Sequence, residues 1–167
     1  MPVDEFHWEK ELIVKASCQD RRSAFQMVAS AIAEQTDIAA RTIVDHVMER
    51  EALGSTGFGG GFALPHALVP GLRSPEKVLL TLRQGVEFGA PDDQPVDILL
   101  AVLWPQERQD GFLPALARHC RLFRSDKVLR GLRNADTKTE AMMVLQSFSK
   151  PDVMTFSDRR FPRIHRH

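Results

Sequence analysis

Residues 96–104, VDILLAVLW, carry apolar side chains at every position except Asp97. A strand points successive side chains to opposite faces, so one that is apolar on both must be covered on both. This stretch calls for a sheet held between two layers. ELIVKAS (11–17), GFALPHALV (61–69) and KVLLTLR (77–83) read as further strands. Ser17 with Asp20 three residues on predicts a capping box opening a helix that runs to about Gln35, with Phe25, Val28 and Ile32 on one face. A second helix is expected from about Ile38 to Glu51, with Ala40, Ile43 and Val47 sharing a face. From Phe112 three helical segments follow, broken near Arg124 and Asn134, and Thr137 with Glu140 forms another capping box. One strand, two helices, several strands and then three helices define an α+β domain of three αβα layers with a mixed sheet, rather than a doubly wound one.

At 167 residues the chain is long enough for one real core, and a second independent one would be cramped. Lysine plus arginine equal aspartate plus glutamate at 22 each, so no global field draws the chain to nucleic acid or to an anionic membrane. The N-terminus shows no basic region followed by an apolar one, and no apolar run approaches the roughly 18 residues that span a bilayer. A cytoplasmic protein without membrane insertion is expected. Cys18 and Cys120 have no ligand-like spacing and read as reduced packing residues. The domain is expected to occupy 1–150. Residues 151–167 form a basic tail ending in RRFPRIHRH, either a solvated terminus or an arm that docks on an acidic surface or a phosphate backbone, the latter without support from the balanced body of the chain.

Function has to come from local chemistry, and GSTGFGGGFALPH (54–66) is the segment that offers it. Five glycines in eight positions precede a Pro-His pair. A phosphate-cradling G-x-x-x-x-G-K-[ST] loop is excluded, because no lysine lies between Lys15 and Lys77. The dinucleotide pattern started at Gly57 and Gly59 fails at Phe62 and follows a helix instead of a strand. No further histidine, cysteine or acid stands at ligand spacing from His66, so no metal is expected there. What remains is a histidine beside a loop rich in donors. Gly57, Gly59, Gly60 and Gly61 let backbone N–H groups approach a ligand as an anion-binding nest. Ser55 and Thr56 add hydroxyl donors, and Arg50 adds a fork matched to phosphate oxygens. Pro65 stiffens the approach to His66, whose neutral imidazole is a competent nucleophile at cellular pH. On the residues alone two readings stand: a phosphoryl-accepting histidine, and a plain glycine-rich turn.

REALGSTGFGGGFALPH, residues 50–66, resembles the active-site segment of the enzyme IIA domains of the sugar phosphotransferase system, fructose and mannitol class, and most closely the nitrogen-regulatory IIA proteins. The resemblance runs through PGLRSPEKVLLTLRQGVEFGAPDDQPVDILLAVLWP to LRNADTKTEAMMVLQ, about residues 8–148. It implies the three-layer fold read above. It implies that His66 accepts a phosphoryl group from a small histidine-containing phosphocarrier protein, that Arg50 neutralises the phosphate, and that Ser55, Thr56 and the Gly57–Gly61 backbone line the site. No metal or organic cofactor is implied. Sugar-specific members pass the phosphate to a IIB partner, whereas the nitrogen-regulatory ones control regulators and transporters. The lack of a fused IIB or membrane domain and the match to LGSTG favour the regulatory role.

One departure stands out within the resemblance. Related domains carry a second histidine where the helix after LLAVLWP opens. Aligned on Leu113, Leu116, Ala117, Arg121 and Leu122, that position is Phe112 here. His119 lies seven residues along the helix, on nearly the same face but roughly 10 Å further down the axis. Phosphoryl transfer slower than usual for the family is expected, and a binding module that signals without being phosphorylated is the competing reading. Phe58, Phe62 and Trp104 read as packing residues, with Phe58 and Phe62 also candidates for the rim of the site.

Overall fold

A computed structural model describes residues 11–149. The basic tail and the N-terminal ten residues lie outside them. The elements are β1 (Leu12–Ala16), α1 (Arg21–Ala33), α2 (Ala40–Ala52), β2 (Gly57–Gly59), β3 (Phe62–Ala63), β4 (His66–Val69), β5 (Glu76–Val86), β6 (Val96–Pro105), α3 (Phe112–Phe123), α4 (Asp126–Asn134) and α5 (Lys138–Ser149). The sheet runs β1-β5-β6-β3-β2, with β4 also on β6. It is mixed: β1 lies parallel to β5, β5 antiparallel to β6, and both β3 and β4 parallel to β6. The α+β architecture is therefore the one expected.

Strand β6 shows why. Leu99, Ala101 and Leu103 join a core with Phe25, Ile32, Ile43 and Val47 of α1 and α2. Ile98, Leu100 and Val102 join a second core with Phe123, Leu129, Leu132 and Leu145 of α3, α4 and α5. Leu99, Leu100 and Leu103 are all 0% exposed. Truncating one of them to alanine removes about 2–5 kcal/mol, a large part of a domain's net stability. The apolar run is thus the partition between two cores.

The boundaries differ from the sequence reading in instructive ways. Asp20, not Ser17, caps α1: its carboxylate accepts from Ser23 N–H at 2.8 Å, and Ser23 Oγ accepts from Asp20 N–H at 3.1 Å. The box is closed by a serine instead of a glutamate. Helix α2 opens at Ala40, two residues later than expected, without a side-chain cap. Thr137 does accept from Glu140 N–H, while the Glu140 carboxylate accepts from Asp136 N–H, so that box is offset by one residue. The 61–69 strand is interrupted at Leu64 and Pro65, yet its register on β6 never slips. Phe62 pairs with Ile98, Ala63 with Leu99, and His66 with Val102. Pro65 has no N–H to give the ladder, but its carbonyl accepts from Val102 N–H at 2.9 Å and carries the register through.

Candidate functional site

His66 opens β4, and its register opposite Val102 turns its side chain to the face covered by α3–α5. It is two-sided chemically. Leu64 C=O lies 2.8 Å from His66 Nδ1. A carbonyl only accepts, so Nδ1 carries the hydrogen and the lone pair is left on Nε2. Nε2 in turn accepts from Arg50 Nε–H at 3.3 Å. Arg50 lies in the last turn of α2, and its NH1 donates to Gly54 C=O at 2.9 Å, which fixes the guanidinium against the turn that follows the helix. Burial holds the imidazole pKa below the ordinary histidine range, and the nearby Arg50 charge works in the same direction, against the Leu64 hydrogen bond and Glu51. His66 is therefore neutral at pH 7 with one nucleophilic nitrogen defined.

Phe112 covers the imidazole. The rings stand 5.9 Å apart at 59°, and Phe112 also packs on Trp104 at 5.7 Å. The α3 opening thus places at His66 the side chain that the sequence alignment put there, and that side chain has no hydrogen-bonding group. His119 lies further along α3, 5% exposed, with Lys77 and Arg118 as its charged neighbours.

The glycine segment is a hairpin. Gly57 pairs with Ala63 and Gly59 with Phe62, and the two-residue loop Gly60–Gly61 has φ of 66° and 79°. Positive φ at both loop positions is what a type I′ hairpin requires, and glycine adopts it without strain. The expected nest is built differently: Gly60 N–H already binds an anion, the Asp92 carboxylate at 2.9 Å, and Gly57 N–H is held by Ser55 Oγ at 3.1 Å. Ser55 and Thr56 do not present free hydroxyl hydrogens. Ser55 Oγ–H donates to Phe88 C=O at 2.9 Å, and Thr56 Oγ–H donates to Glu51.

Glu51 is the residue the sequence reading left without a role. It is 4% exposed, accepts from Thr56 N–H at 3.2 Å, and pairs with Arg21 at 3.5 Å, so a buried carboxylate ties α1, α2 and the 53–56 turn together. Its signal was present: Ile43, Val47 and Glu51 recur at the four-residue spacing of the buried stripe of α2. Phe62 stacks on Phe123 at 4.7 Å as a core residue, while Phe58 is 46% exposed and leans on Phe62. Cys18 and Cys120 are free thiols packed against the two cores, as expected. Among the described residues no helix is long and apolar enough to cross a membrane.

These features define a class: an α+β domain that aims one neutral imidazole nitrogen at one helix-end guanidinium beside a glycine hairpin. The chain belongs to the family described as phosphoenolpyruvate-dependent sugar phosphotransferase system, EIIA 2, whose model matches residues 6–148. It is 35% identical over 118 residues to a nitrogen regulatory protein of Pseudomonas aeruginosa, covering 70% of this chain and 77% of that one. It is 30% identical over 133 residues to a nitrogen regulatory protein of Bradyrhizobium diazoefficiens, covering 80% and 87%. The fold matches the crystal structure of nitrogen regulatory protein IIA-Ntr from Neisseria meningitidis, with a TM-score of 0.77, 22% identity, and 81% and 93% of the two chains covered. IIA mannitol from Escherichia coli shares it too, with a TM-score of 0.68, 15% identity, and 81% and 96% covered.

Proposed function

We propose that this IIA protein is a phosphoryl-accepting regulator of the nitrogen branch of the phosphotransferase system, working in the cytoplasm. A histidine-containing phosphocarrier protein donates, His66 accepts, and the phosphorylation state controls a downstream regulator or transporter protein. The observation that carries this reading is the pair of bonds on the imidazole: Leu64 C=O fixes the hydrogen on Nδ1, and Arg50 stands at Nε2. The Nε2 lone pair attacks phosphorus in line, a new N–P bond forms, and the N–P bond to the donor imidazole breaks. Nδ1 keeps its hydrogen, and Leu64 C=O stabilises the positive charge the ring gains. The entering phosphoryl group displaces Arg50 Nε–H from the lone pair, which sets the guanidinium fork against the phosphoryl oxygens. Such transfer draws its rate from positioning and charge neutralisation.

In this reading Ser55, Thr56 and Gly57 to Gly61 shape the wall of the site, and the donors of Ser55, Thr56, Gly57 and Gly60 are engaged within the fold. The family domain is taken as residues 1–150, and the basic tail, 151–167, as an appendage that contacts an acidic partner surface. The regulatory role follows the relatives named above. The sugar-specific alternative, donation to a IIB partner, follows the fold neighbours of the mannitol class. A second reading, a binding module that signals without phosphate, draws on Phe112, because an apolar ring over His66 offers an incoming phosphate no donor. The test is 15N–31P NMR after incubation with the phosphocarrier cascade and phosphoenolpyruvate. Phosphorus coupled to His66 Nε2 supports the proposal. Coupling to Nδ1, or none, contradicts it.

A further inference from the structure

Away from His66, at the opposite end of β6, a cavity of about 350 Å³ opens between β5 and α4. Lys15, Thr81, Arg83, Asp97, Leu132 and Arg133 line it. The wall therefore holds three cationic side chains against one carboxylate, with Asp136 paired to Lys15 at the rim. Their donors are not equally available. Arg133 is committed: Nε donates to Asp97 Oδ2 at 2.8 Å, and NH2 donates to Asp97 Oδ1 at 2.9 Å and also to Gly60 C=O. Arg83 uses only Nε in a hydrogen bond, on Lys15 C=O at 2.9 Å; its charge also acts on Asp136 at the rim, while its two terminal nitrogens make no hydrogen bond among the described residues.

Two further features mark the cavity as more than a gap between side chains. Thr81 is 2% exposed, and its Oγ accepts from Lys15 N–H at 2.8 Å; its own hydroxyl hydrogen has no acceptor among the described residues. A buried donor of that kind is costly unless something accepts from it. Lys15 has φ of 51°, a left-handed conformation that a non-glycine residue holds only under strain, and such outliers cluster where ligands are clamped. The strain sits in the same backbone unit whose N–H and C=O are gripped by Thr81 and Arg83.

We propose that this cavity binds a small organic dianion, a short dicarboxylate or a phosphomonoester, held by the terminal nitrogens of Arg83, the Thr81 hydroxyl and Lys15. Asp136 is 71% exposed at its side chain, so an entering anion takes its place beside Lys15 and Arg83 at little cost. Occupancy is felt at the glycine hairpin. Arg133 holds the Gly60 carbonyl, and Gly61 C=O accepts from the N–H groups of both Asp97 and Ile98. A Cβ on Gly61 would collide with Arg133 NH2, so the guanidinium sits directly against the turn. The cavity is thus wired to the loop that leads into His66, and it would give a regulatory protein a metabolite input. The inference does not rest on phosphorylation of His66, and its test needs none.

The experiment is an amide chemical-shift titration of the unphosphorylated protein with glutarate and, separately, with glycerol 3-phosphate, using uncharged glutaramide as the control. Expected are saturable shifts at Thr81, Arg83, Arg133 and Gly60 with at least one dianion and none with glutaramide. Which dianion saturates the site identifies the class. Arg83→Gln, at an exposed position, is expected to weaken binding about tenfold or more through loss of a charge-assisted fork. Lys15→Gly relieves the strained backbone, so it is expected to keep or raise thermal stability while weakening binding. The proposal is overturned by linear, non-saturating shifts, by equal shifts with glutaramide, or by unchanged affinity in both variants.

Discussion

Arg50 and His66 meet nitrogen to nitrogen at 3.3 Å, one from the last turn of a helix that packs on the first core, the other from a strand residue that faces the second. The contact joins the two layers at the strand end, and the imidazole Nε2 accepts in it. Arg50→Ala is expected to slow phosphoryl transfer by roughly 10²–10³-fold, the scale for losing one preorganised stabilising donor. Arg50→Lys restores the charge without the fork and is expected to recover part of the rate. Single-turnover rates with the phosphocarrier as donor measure both; equal rates in all three proteins would reduce Arg50 to a packing residue.

Glu51 anchors the turn after α2 through Thr56, without touching the reacting atoms. Breaking its bonds to Thr56 leaves a buried N–H and a buried hydroxyl unsatisfied, while Arg21, about a third exposed, regains water, so Glu51→Ala is expected to destabilise the fold by about 1–3 kcal/mol in denaturant unfolding. Glu51→Gln keeps the size and part of the hydrogen bonding and is expected to fold. Because the Glu51 charge favours the protonated imidazole, the same variant should lower the His66 pKa further, readable by NMR titration. A His66 titration identical to wild type would confine Glu51 to a structural role.

Phe112 is expected to limit the rate of transfer. Placing a donor at the ring 5.9 Å from His66 adds one charge-assisted hydrogen bond to the phosphoryl group, worth about 1.5–3 kcal/mol. Phe112→His is therefore expected to accelerate transfer by roughly 10- to 100-fold, or to lengthen the life of the phosphorylated form. No change in either quantity would mean that the position has no part in transfer. A wild type that takes no phosphate, restored by the substitution, would favour the binding-module reading.

Much of this is legible in the sequence. The run at 96–104 announced a strand buried on both faces, and alignment through Leu113 and Leu116 brought Phe112 to the imidazole. What escaped was the destination of polar groups. Gly-Gly between short strands is a hairpin signal, yet only tertiary structure shows Asp92, some thirty residues on, filling the anion nest at Gly60. Ser55 and Thr56 offer hydroxyls in sequence; the fold spends one on Phe88, 33 residues away, and the other on Glu51 across the turn that ends α2. Glu51 escapes the sequence reading because a titratable residue on an apolar stripe looks like an exception, and its partner Arg21 on the neighbouring helix is invisible to helical periodicity.

His119 supplies a pH test of the second core. Burial first, then the charges of Lys77 and Arg118, lower its pKa from 6.5 to about 4. Below pH 6.5 the unfolded chain binds a proton that the folded chain refuses, so the contribution is fully present above 6.5 and is lost as pH falls toward 4. The loss is on the order of 3 kcal/mol. Denaturant unfolding at pH 7 and pH 4.5, compared with His119→Gln, is expected to show a weaker pH dependence in the variant; equal slopes would mean that other groups govern acid stability.

The central claim is that one imidazole carries the phosphoryl group, and intact-mass spectrometry tests it most directly. The protein is mixed with the phosphocarrier cascade and phosphoenolpyruvate, and the products are weighed before and after acid treatment. The account predicts an acid-labile gain of one phosphoryl group in wild type and no gain in His66→Ala. A gain that survives the substitution, or a wild type that takes up no phosphate while a related IIA protein in the same mixture does, would contradict it.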